Sequence, residues 1–171
     1  PSKYSQDLST DFEVFEHALN WLWENEQYKP DIIVQLRPTS PVRKIEIIDQ
    51  CIEKCISSNC DSLRVVTESP ITPYKMWHID DEHLPMKQFS YIDGIFEPYN
   101  QPRQMLPKVY WQIGFLDVIK ANTITLERSM TGSKILPFVV DNIFAIDIDN
   151  LQSFDLASNI ISNKNYVNFD I

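Results

Sequence analysis

A short apolar run that stops at two closely spaced prolines constrains the fold of this chain more than any other feature. Residues 32–36 read IIVQL, which is typical of a strand covered on both faces. Pro38 and Pro41 follow, and each removes a backbone donor, so the chain cannot continue as a central strand. Open α/β sheets bind ligands at the carboxyl ends of such strands. The turn after residue 36 is therefore the first place to expect a binding site.

Length and charge narrow the class of protein. The chain has 171 residues, enough for one domain with a hydrophobic core and barely enough for two. Its net charge of −9 argues against a nucleic-acid surface, although a divalent cation and a few local cations could still hold a nucleotide. No apolar run reaches the 18 or more residues of a membrane span and no signal peptide is visible, so we predict a cytoplasmic protein with no membrane partner.

Three cysteines lie within ten residues. Cys51 and Cys55 are one helical turn apart and Cys60 follows, with no CxxC pair and no nearby histidine to suggest a zinc site. The spacing is a poor disulfide framework. We therefore predict buried, reduced thiols, as is usual for a cytosolic protein.

The first half of the chain predicts alternating helices and strands. Residues 10–13 form a T-x-x-E capping box, and the helix that it starts should end near Glu26. A second helix should run from Ile45 to about residue 58, with Ile45, Ile48, Ile52 and Cys55 on its apolar face. A strand over residues 62–67 completes a strand–helix–strand unit. That pattern predicts an α/β fold with a parallel strand pair and a right-handed crossover.

The character of the chain changes between residues 70 and 107. Six of the 11 prolines fall there: Pro70, Pro73, Pro85, Pro98, Pro102 and Pro107. Such a segment predicts an extended excursion from the sheet. Further strands are predicted over residues 109–119, 134–140 and 144–148, and a final helix over residues 151–161.

Two aspartates near the C-terminal end form the clearest chemical motif. If residues 144–148 continue as a strand, Asp147 and Asp149 point to one face and their carboxylates converge. Oxygen ligands of this kind suit Mg²⁺. The alternative is that Asp149 or Asn150 caps the following helix.

Cations in the proline-rich segment form a second group. Lys75, Arg103 and Lys108 are candidates for binding a carboxylate or phosphate, and Pro102 would stiffen the backbone beside Arg103. The alternative for each is a solvated surface cation. The three glycines are isolated, so neither a P-loop nor a Rossmann fingerprint is present.

In their order along the chain, these motifs resemble the acylneuraminate cytidylyltransferases, the CMP-sialic acid synthetase family. The resemblance covers nearly the whole chain, and the residues that carry it are Pro30-Asp31, Leu36 to Arg43 (LRPTSPVR), Ile48-Asp49, Asp61 to Val66, Pro73 to Trp77 (PYKMW), Gln101 to Pro107 (QPRQMLP) and Asp147-Ile148-Asp149. The family fold that it implies is a three-layer, Rossmann-like nucleotidyltransferase fold. A β-rich dimerisation lobe over residues 70–107 would project from it within a single domain of residues 1–171.

The resemblance also implies a reaction and its residues. A cytidylyl group would pass from CTP to a nine-carbon acid sugar, whose anomeric hydroxyl attacks the α-phosphate while pyrophosphate leaves. Asp147 and Asp149 would hold Mg²⁺, and Lys75 would be a further catalytic group. The implied substrate-binding residues are Arg37, Thr39, Ser40, Arg103 and Gln104. The protein would be a homodimer, in which Lys75 and Arg103 of the lobe meet the acid sugar in their own or the partner subunit's site.

The chain departs from the family pattern at three places. Arg37 stands where many members have Gln, and residues 111–114 read WQIG where many have an Arg and an Asn-Gly. These changes leave sialic, legionaminic and pseudaminic acids open as the sugar. The Ala-Arg-Gly-Gly-Ser-Lys-like loop that grips the CTP phosphates in the family does not occur in the sequence.

From that third departure we expect an N-terminally truncated fold that by itself turns over CTP poorly or not at all. Two alternatives remain. One is a non-catalytic dimerising domain or fragment that has lost nucleotide binding. The other is a sugar nucleotidyltransferase of different specificity.

Overall fold

The computed structural model describes residues 1–163. The chain forms two compact units. The first comprises Pro1–Val66 together with the described residues that follow Trp111, and the second comprises Thr67–Trp111. Within the described residues no helix has the length and apolar character needed to cross a membrane.

The structure is mixed α/β. Its strands are β1 (Ile32–Gln35), β2 (Ser62–Glu68), β3 (Trp77–His78), β4 (Lys87–Gln88), β5 (Tyr110–Lys120) and β6 (Ile135–Val139). Its α-helices are α1 (Asp11–Glu26), α2 (Ile45–Ser57), α3 (Ala121–Thr125) and α4 (Leu151–Ser162). The main sheet has the order β1-β5-β2-β6, and β3 pairs with β4 in a separate two-stranded sheet.

β1 and β2 run in the same direction, as predicted, but they do not form the predicted pair, because β5 lies between them. β1 pairs with β5 antiparallel, with Ile33 opposite Ile119. The Lys120 amide donates to the carbonyl of Asp61 at 3.0 Å, so the end of β5 meets the start of β2 and these strands are also antiparallel. Among the described strands, the parallel pair is that of β2 and β6, in which Val65 lies opposite Phe138. The sheet is therefore mixed. β5 comes later in the sequence than β1 and β2, yet it lies between these two strands, which the local sequence predicts to be neighbours.

The helices begin and end close to their predicted bounds. Thr10 caps α1 and Glu13 reaches back to the Thr10 amide, so the predicted capping box is confirmed. In α2 the buried residues are Cys51 and Cys55, whereas Ile45 is exposed and does not belong to the apolar face. The short α3 follows β5 directly and was not predicted.

The core of the first unit lies on both faces of the main sheet. On one face Leu63, Val65 and Val118 pack with α2 and α4. On the other, Ile33 and Ile119 pack with Leu19 of α1 and with α3. β1 is thus covered on both faces as predicted, although Leu36 just beyond it is 47% exposed.

The second unit has little regular structure. Apart from the end of β2, the start of β5 and the two-residue strands β3 and β4, it contains 3-10 turns at Pro73–Lys75, Pro98–Asn100 and Arg103–Met105. Trp77 packs against Tyr99 with ring centroids 4.6 Å apart. Prolines begin two of these turns, which explains why the proline-rich segment does not extend the main sheet.

Candidate functional site

The turn after β1 is built around the side chain of Arg43. The Ser40 amide closes the turn by donating to the carbonyl of Arg37 at 3.1 Å. The Arg43 guanidinium donates to that same carbonyl, to the carbonyl of Phe115 at 2.7 Å and to that of Gly114 at 3.4 Å. Burial lowers the pKa of Arg43 from its ordinary value, but an arginine remains charged at neutral pH. One cation therefore fixes the turn to β5.

Gly114 lets the turn approach β5 closely. A Cβ built on Gly114 would overlap the Ser40 hydroxyl and come within 3.3 Å of the Arg37 side chain. Ser40 itself is only 2% exposed, and its side chain packs into the molecule. Of the predicted substrate-binding residues in this turn, Thr39 is exposed and Arg37 is partly exposed.

The segment that carries the two aspartates lies against this turn. The amide of Ile148 donates to the carbonyl of Thr39 at 2.8 Å. The predicted strand over residues 144–148 is wrong: a 3-10 turn covers Asn142–Phe144, and residues 145–148 have no regular secondary structure. The amide of Ile148 bonds to a turn, whereas a strand would need a neighbouring strand to pair with. Asp147 and Asp149 are therefore not placed on one face by strand geometry, as was predicted.

Asp147 and Asp149 are both exposed and precede α4. Asn150 caps this helix, since its side chain accepts from the Ser153 amide at 3.0 Å. Of the two capping candidates, Asn150 is confirmed. The Asp149 amide donates to the Ser153 hydroxyl, which leaves the Asp149 carboxylate outside the cap.

The donor set at these aspartates is compatible with Mg²⁺ bound together with a phosphate ligand. Within residues 1–163 neither Asp147 nor Asp149 forms an ion pair, and no cluster of three or more His, Cys, Asp or Glu side chains could hold a metal by itself. Mg²⁺ commonly binds one or two carboxylates and takes its other ligands from water and substrate phosphates. Two exposed carboxylates fit that pattern.

Beside the turn, four charged side chains of alternating sign run from the surface into the core. Arg37 lies 2.9 Å from Asp11 and 3.7 Å from Asp117, and Asp117 also forms an ion pair with Arg64. Asp117 and Arg64 are buried, whereas Asp11 and Arg37 are partly exposed. A hydrogen bond from Gln35, supported by Arg37, lowers the pKa of the Asp11 carboxyl.

Sequence reasoning missed Asp11, Arg64 and Asp117. A usable signal was present, because Asp117 interrupts the run FLDVI and Arg64 interrupts LRVV, and both lie in strands. Charges of opposite sign within two apolar strands indicate a buried pair if the strands are neighbours. The order of strands, which the sequence pattern did not supply, was needed to pair them.

The remaining predicted residues lie in the second unit. Lys75 and Gln104 are exposed. Arg103 donates to the backbone carbonyls of Ser69 at 2.8 Å and Pro70 at 2.7 Å, so its guanidinium braces this unit's own backbone. Lys108 is paired with Glu68 at 3.0 Å, which raises the pKa of the lysine.

A cavity of about 400 Å³ lies in the second unit. Arg103, Gln104 and Lys108 line it together with Thr72, whose buried hydroxyl has no hydrogen-bond partner among the described residues. Lys75 does not line it. The cavity belongs to a different unit from Asp147 and Asp149.

The structure therefore brings together the turn of Arg37, Thr39 and Ser40 and the segment of Asp147 and Asp149, all in the first unit. Comparison of the sequence with protein-family models found no match, and comparison with curated proteins found no relative.

Proposed function

We propose that this chain is a nucleotidyltransferase of the acylneuraminate cytidylyltransferase type, which transfers a cytidylyl group from CTP to a nine-carbon acid sugar. The observation that carries the proposal is the hydrogen bond between the Ile148 amide and the Thr39 carbonyl. It joins the two segments that the resemblance assigns to one cleft. They are more than a hundred residues apart in sequence, so chance similarity of short motifs gives no reason for them to meet.

The charges around the turn support an anionic substrate. Arg37 is partly exposed, and its guanidinium is already held by Asp11. An arginine in this position can bind a carboxylate through two parallel hydrogen bonds. Under the proposal, the sugar carboxylate competes with Asp11 for Arg37, and Thr39 offers a hydroxyl beside it.

Asp147 and Asp149 would hold the Mg²⁺, since both carboxylates are exposed and neither forms an ion pair within residues 1–163. When bound, the ion would neutralise charge on the nucleotide phosphates. The chain's own contribution is positional. Arg43 and the Thr39–Ile148 bond keep the turn and the aspartate segment at a fixed separation.

The homodimer remains part of the proposal and is supported by the surface of the second unit. Its large exposed apolar side chains are Ile71, Met76, Ile79, Leu84, Met86, Phe89, Tyr91, Phe96, Met105, Tyr110 and Trp111. So many exposed apolar residues in one small unit are typical of an interaction surface. We propose a second copy of this chain as the partner.

Calorimetric titration of CTP into the folded chain, with and without Mg²⁺, tests the proposal. We expect binding that requires Mg²⁺ and is lost in Asp149→Ala. Asp155→Ala removes another exposed carboxylate, in the middle of α4, and should bind CTP as the unaltered chain does. CTP binding that ignores Mg²⁺, or that survives Asp149→Ala, contradicts the assignment.

The same titration separates the two alternatives. A non-catalytic dimerising domain would self-associate without binding any nucleotide. A transferase of different specificity would bind another nucleoside triphosphate more tightly than CTP in a panel of four. If CTP binds, pyrophosphate release in the presence of sialic, legionaminic and pseudaminic acids measures whether the chain also turns over.

A further inference from the structure

Two buried cysteines meet at the end of α2. The Cys60 thiol donates to the Cys55 sulfur, with the two sulfur atoms 3.3 Å apart, and Cys60 Sγ also lies 3.6 Å from the Cys55 carbonyl oxygen. Both side chains are fully buried and both are reduced. The sulfur atoms need to approach by roughly 1.3 Å to reach the length of a disulfide bond, about 2.0 Å.

The turn after α2 produces this contact. The helix ends at Ser57, and Asn59 takes a left-handed conformation with φ of 49°, which folds the chain back over the last helical turn. Asparagine tolerates this region better than most residues. Cys60 therefore lies against Cys55, which belongs to the last turn of α2.

Two lysines hold that turn closed. The Lys134 ammonium donates to the carbonyls of Ser58 at 3.0 Å and Asn59 at 3.2 Å. The Lys120 ammonium donates to the Asn59 side-chain oxygen at 2.7 Å. Cations are favourable at the C-terminal end of a helix, where carbonyls lack partners. An oxidant must displace this turn to reach the sulfur atoms.

We propose that Cys55 and Cys60 are a modification site, a dithiol that forms a reversible intramolecular disulfide by exchange with a small-molecule disulfide such as oxidised glutathione. This inference is independent of the proposed function. One cysteine thiolate attacks a glutathione sulfur, and one glutathione thiolate leaves. The second cysteine thiolate then attacks the protein sulfur of the mixed disulfide and expels the second glutathione. The protein loses two electrons and two protons, and the glutathione disulfide is reduced to two thiols.

Cys51 provides an internal comparison. It lies one turn earlier in α2 and is just as buried, but among the described residues it forms no hydrogen bond with another sulfur atom. Burial raises the pKa of both Cys51 and Cys55 to about 12, so thiolate is scarce while the turn is closed. Proximity to Cys60, and not acidity, therefore distinguishes Cys55 from Cys51.

Mass spectrometry of the folded chain tests the proposal. The chain is equilibrated with glutathione buffers of increasing oxidised fraction, quenched with acid, labelled with a thiol reagent and digested. We expect a product lighter by two hydrogens, a Cys55–Cys60 cross-linked peptide, and a Cys51 that remains free. Cys51→Ser should give the same product. A stable glutathione adduct in place of the cross-link, or equal consumption of Cys51, overturns the proposal.

The role of the turn has its own readout. Lys134→Met removes two hydrogen bonds from the turn and leaves both cysteines in place, so oxidation should become several-fold faster. Lys54→Met serves as the control, since Lys54 belongs to the same helix but donates to the carbonyl of Pro137, in β6. An unchanged rate in Lys134→Met, or an equal acceleration in Lys54→Met, contradicts control of access by the turn.

Discussion

The amide of Ile148 and the carbonyl of Thr39 form a 2.8 Å hydrogen bond that joins the turn after β1 to the segment that precedes α4. Both segments are irregular, so neither position is dictated by a regular helix or by strand pairing. Hydrogen bonds from Arg43 hold the turn in place, and the turn also packs on Gly114. The geometry of the candidate site therefore depends on a few identifiable contacts, each of which can be altered singly.

Gly114→Ala should displace the turn. The added Cβ overlaps the Ser40 hydroxyl, and such overpacking typically costs about 1–3 kcal/mol of the free energy of unfolding. We expect a lower urea midpoint and weaker Mg²⁺-dependent CTP binding. Urea titration and calorimetry measure the two effects.

Ser40→Ala provides the control for that change. It removes the overlapping hydroxyl, so the double variant should regain part of the stability lost in Gly114→Ala. If the two substitutions instead lower the free energy of unfolding additively, the Ser40 hydroxyl is not the group that the added Cβ overlaps.

Local signals predicted the parts of this fold that depend on local physics. The capping box at Thr10 and the bounds of α1, α2 and α4 follow from helix periodicity and end signals. The position of β5 between β1 and β2 does not follow from such signals, since the second unit separates β5 from both of these strands in the sequence. A local strand–helix–strand pattern does not indicate whether a strand from further along the sequence will lie between its two strands.

The candidate site was predicted to a similar extent. The turn at Pro38 and the aspartates at 147 and 149 were identified as chemically distinctive, and the structure brings their segments together. The strand around Asp147 was wrong because an apolar alternation over five residues cannot distinguish a strand from an irregular segment that packs its apolar side chains on the core. The partners of Arg37 could not be read from the sequence either, because they come from α1 and β5.

Arg37 and its partner should have opposite effects on acid-sugar binding. Arg37→Gln removes the charge proposed to meet the sugar carboxylate, and the loss of a charged hydrogen bond should weaken binding about tenfold. Asp11→Asn removes the internal competitor and should tighten it. Since the pKa of Asp11 is lowered, this competition persists throughout the range from pH 5 to pH 8.

Glu16→Gln is the control for this pair of variants. It breaks the Arg128–Glu16 ion pair, which also involves α1 but not the turn. Equilibrium titration with sialic acid in the presence of CTP and Mg²⁺ compares the three. Equal weakening in Asp11→Asn and Glu16→Gln would indicate a general effect of altering α1 and would contradict the competition.

Breaking the buried Arg64–Asp117 ion pair should lower the free energy of unfolding substantially. Asp117→Ala leaves the Arg64 guanidinium buried and without its carboxylate, and breaking such a pair typically costs about 3–5 kcal/mol. The double variant Arg64→Met, Asp117→Leu removes both charges and should recover much of that loss. Urea midpoints compare them, and a double variant no more stable than Asp117→Ala would contradict the charge argument.

The exposed apolar surface of the second unit should bury itself in a homodimer. Phe96 is 82% exposed and Tyr91 is 74% exposed. Phe96→Asp should shift sedimentation from dimer to monomer, since a charge in an apolar interface is strongly unfavourable. Leu8→Asp changes a residue of the first unit that is 92% exposed and should leave the dimer intact. A monomeric unaltered chain at micromolar concentration would exclude this interface.

The carboxylate of Asp61 should make stability fall in acid. It accepts hydrogen bonds from the Lys134 amide at 2.7 Å and from the amide and hydroxyl of Ser133, and these bonds lower its pKa below the usual 3.8. A carboxyl with a lowered native pKa stabilises the fold above its unfolded pKa and loses that contribution as pH falls through the native value. Asp61→Asn should therefore have a lower melting temperature than the unaltered chain at pH 7, and the difference should shrink below about pH 4. A difference at Asp61 that stays constant from pH 7 to pH 3 would contradict the linkage.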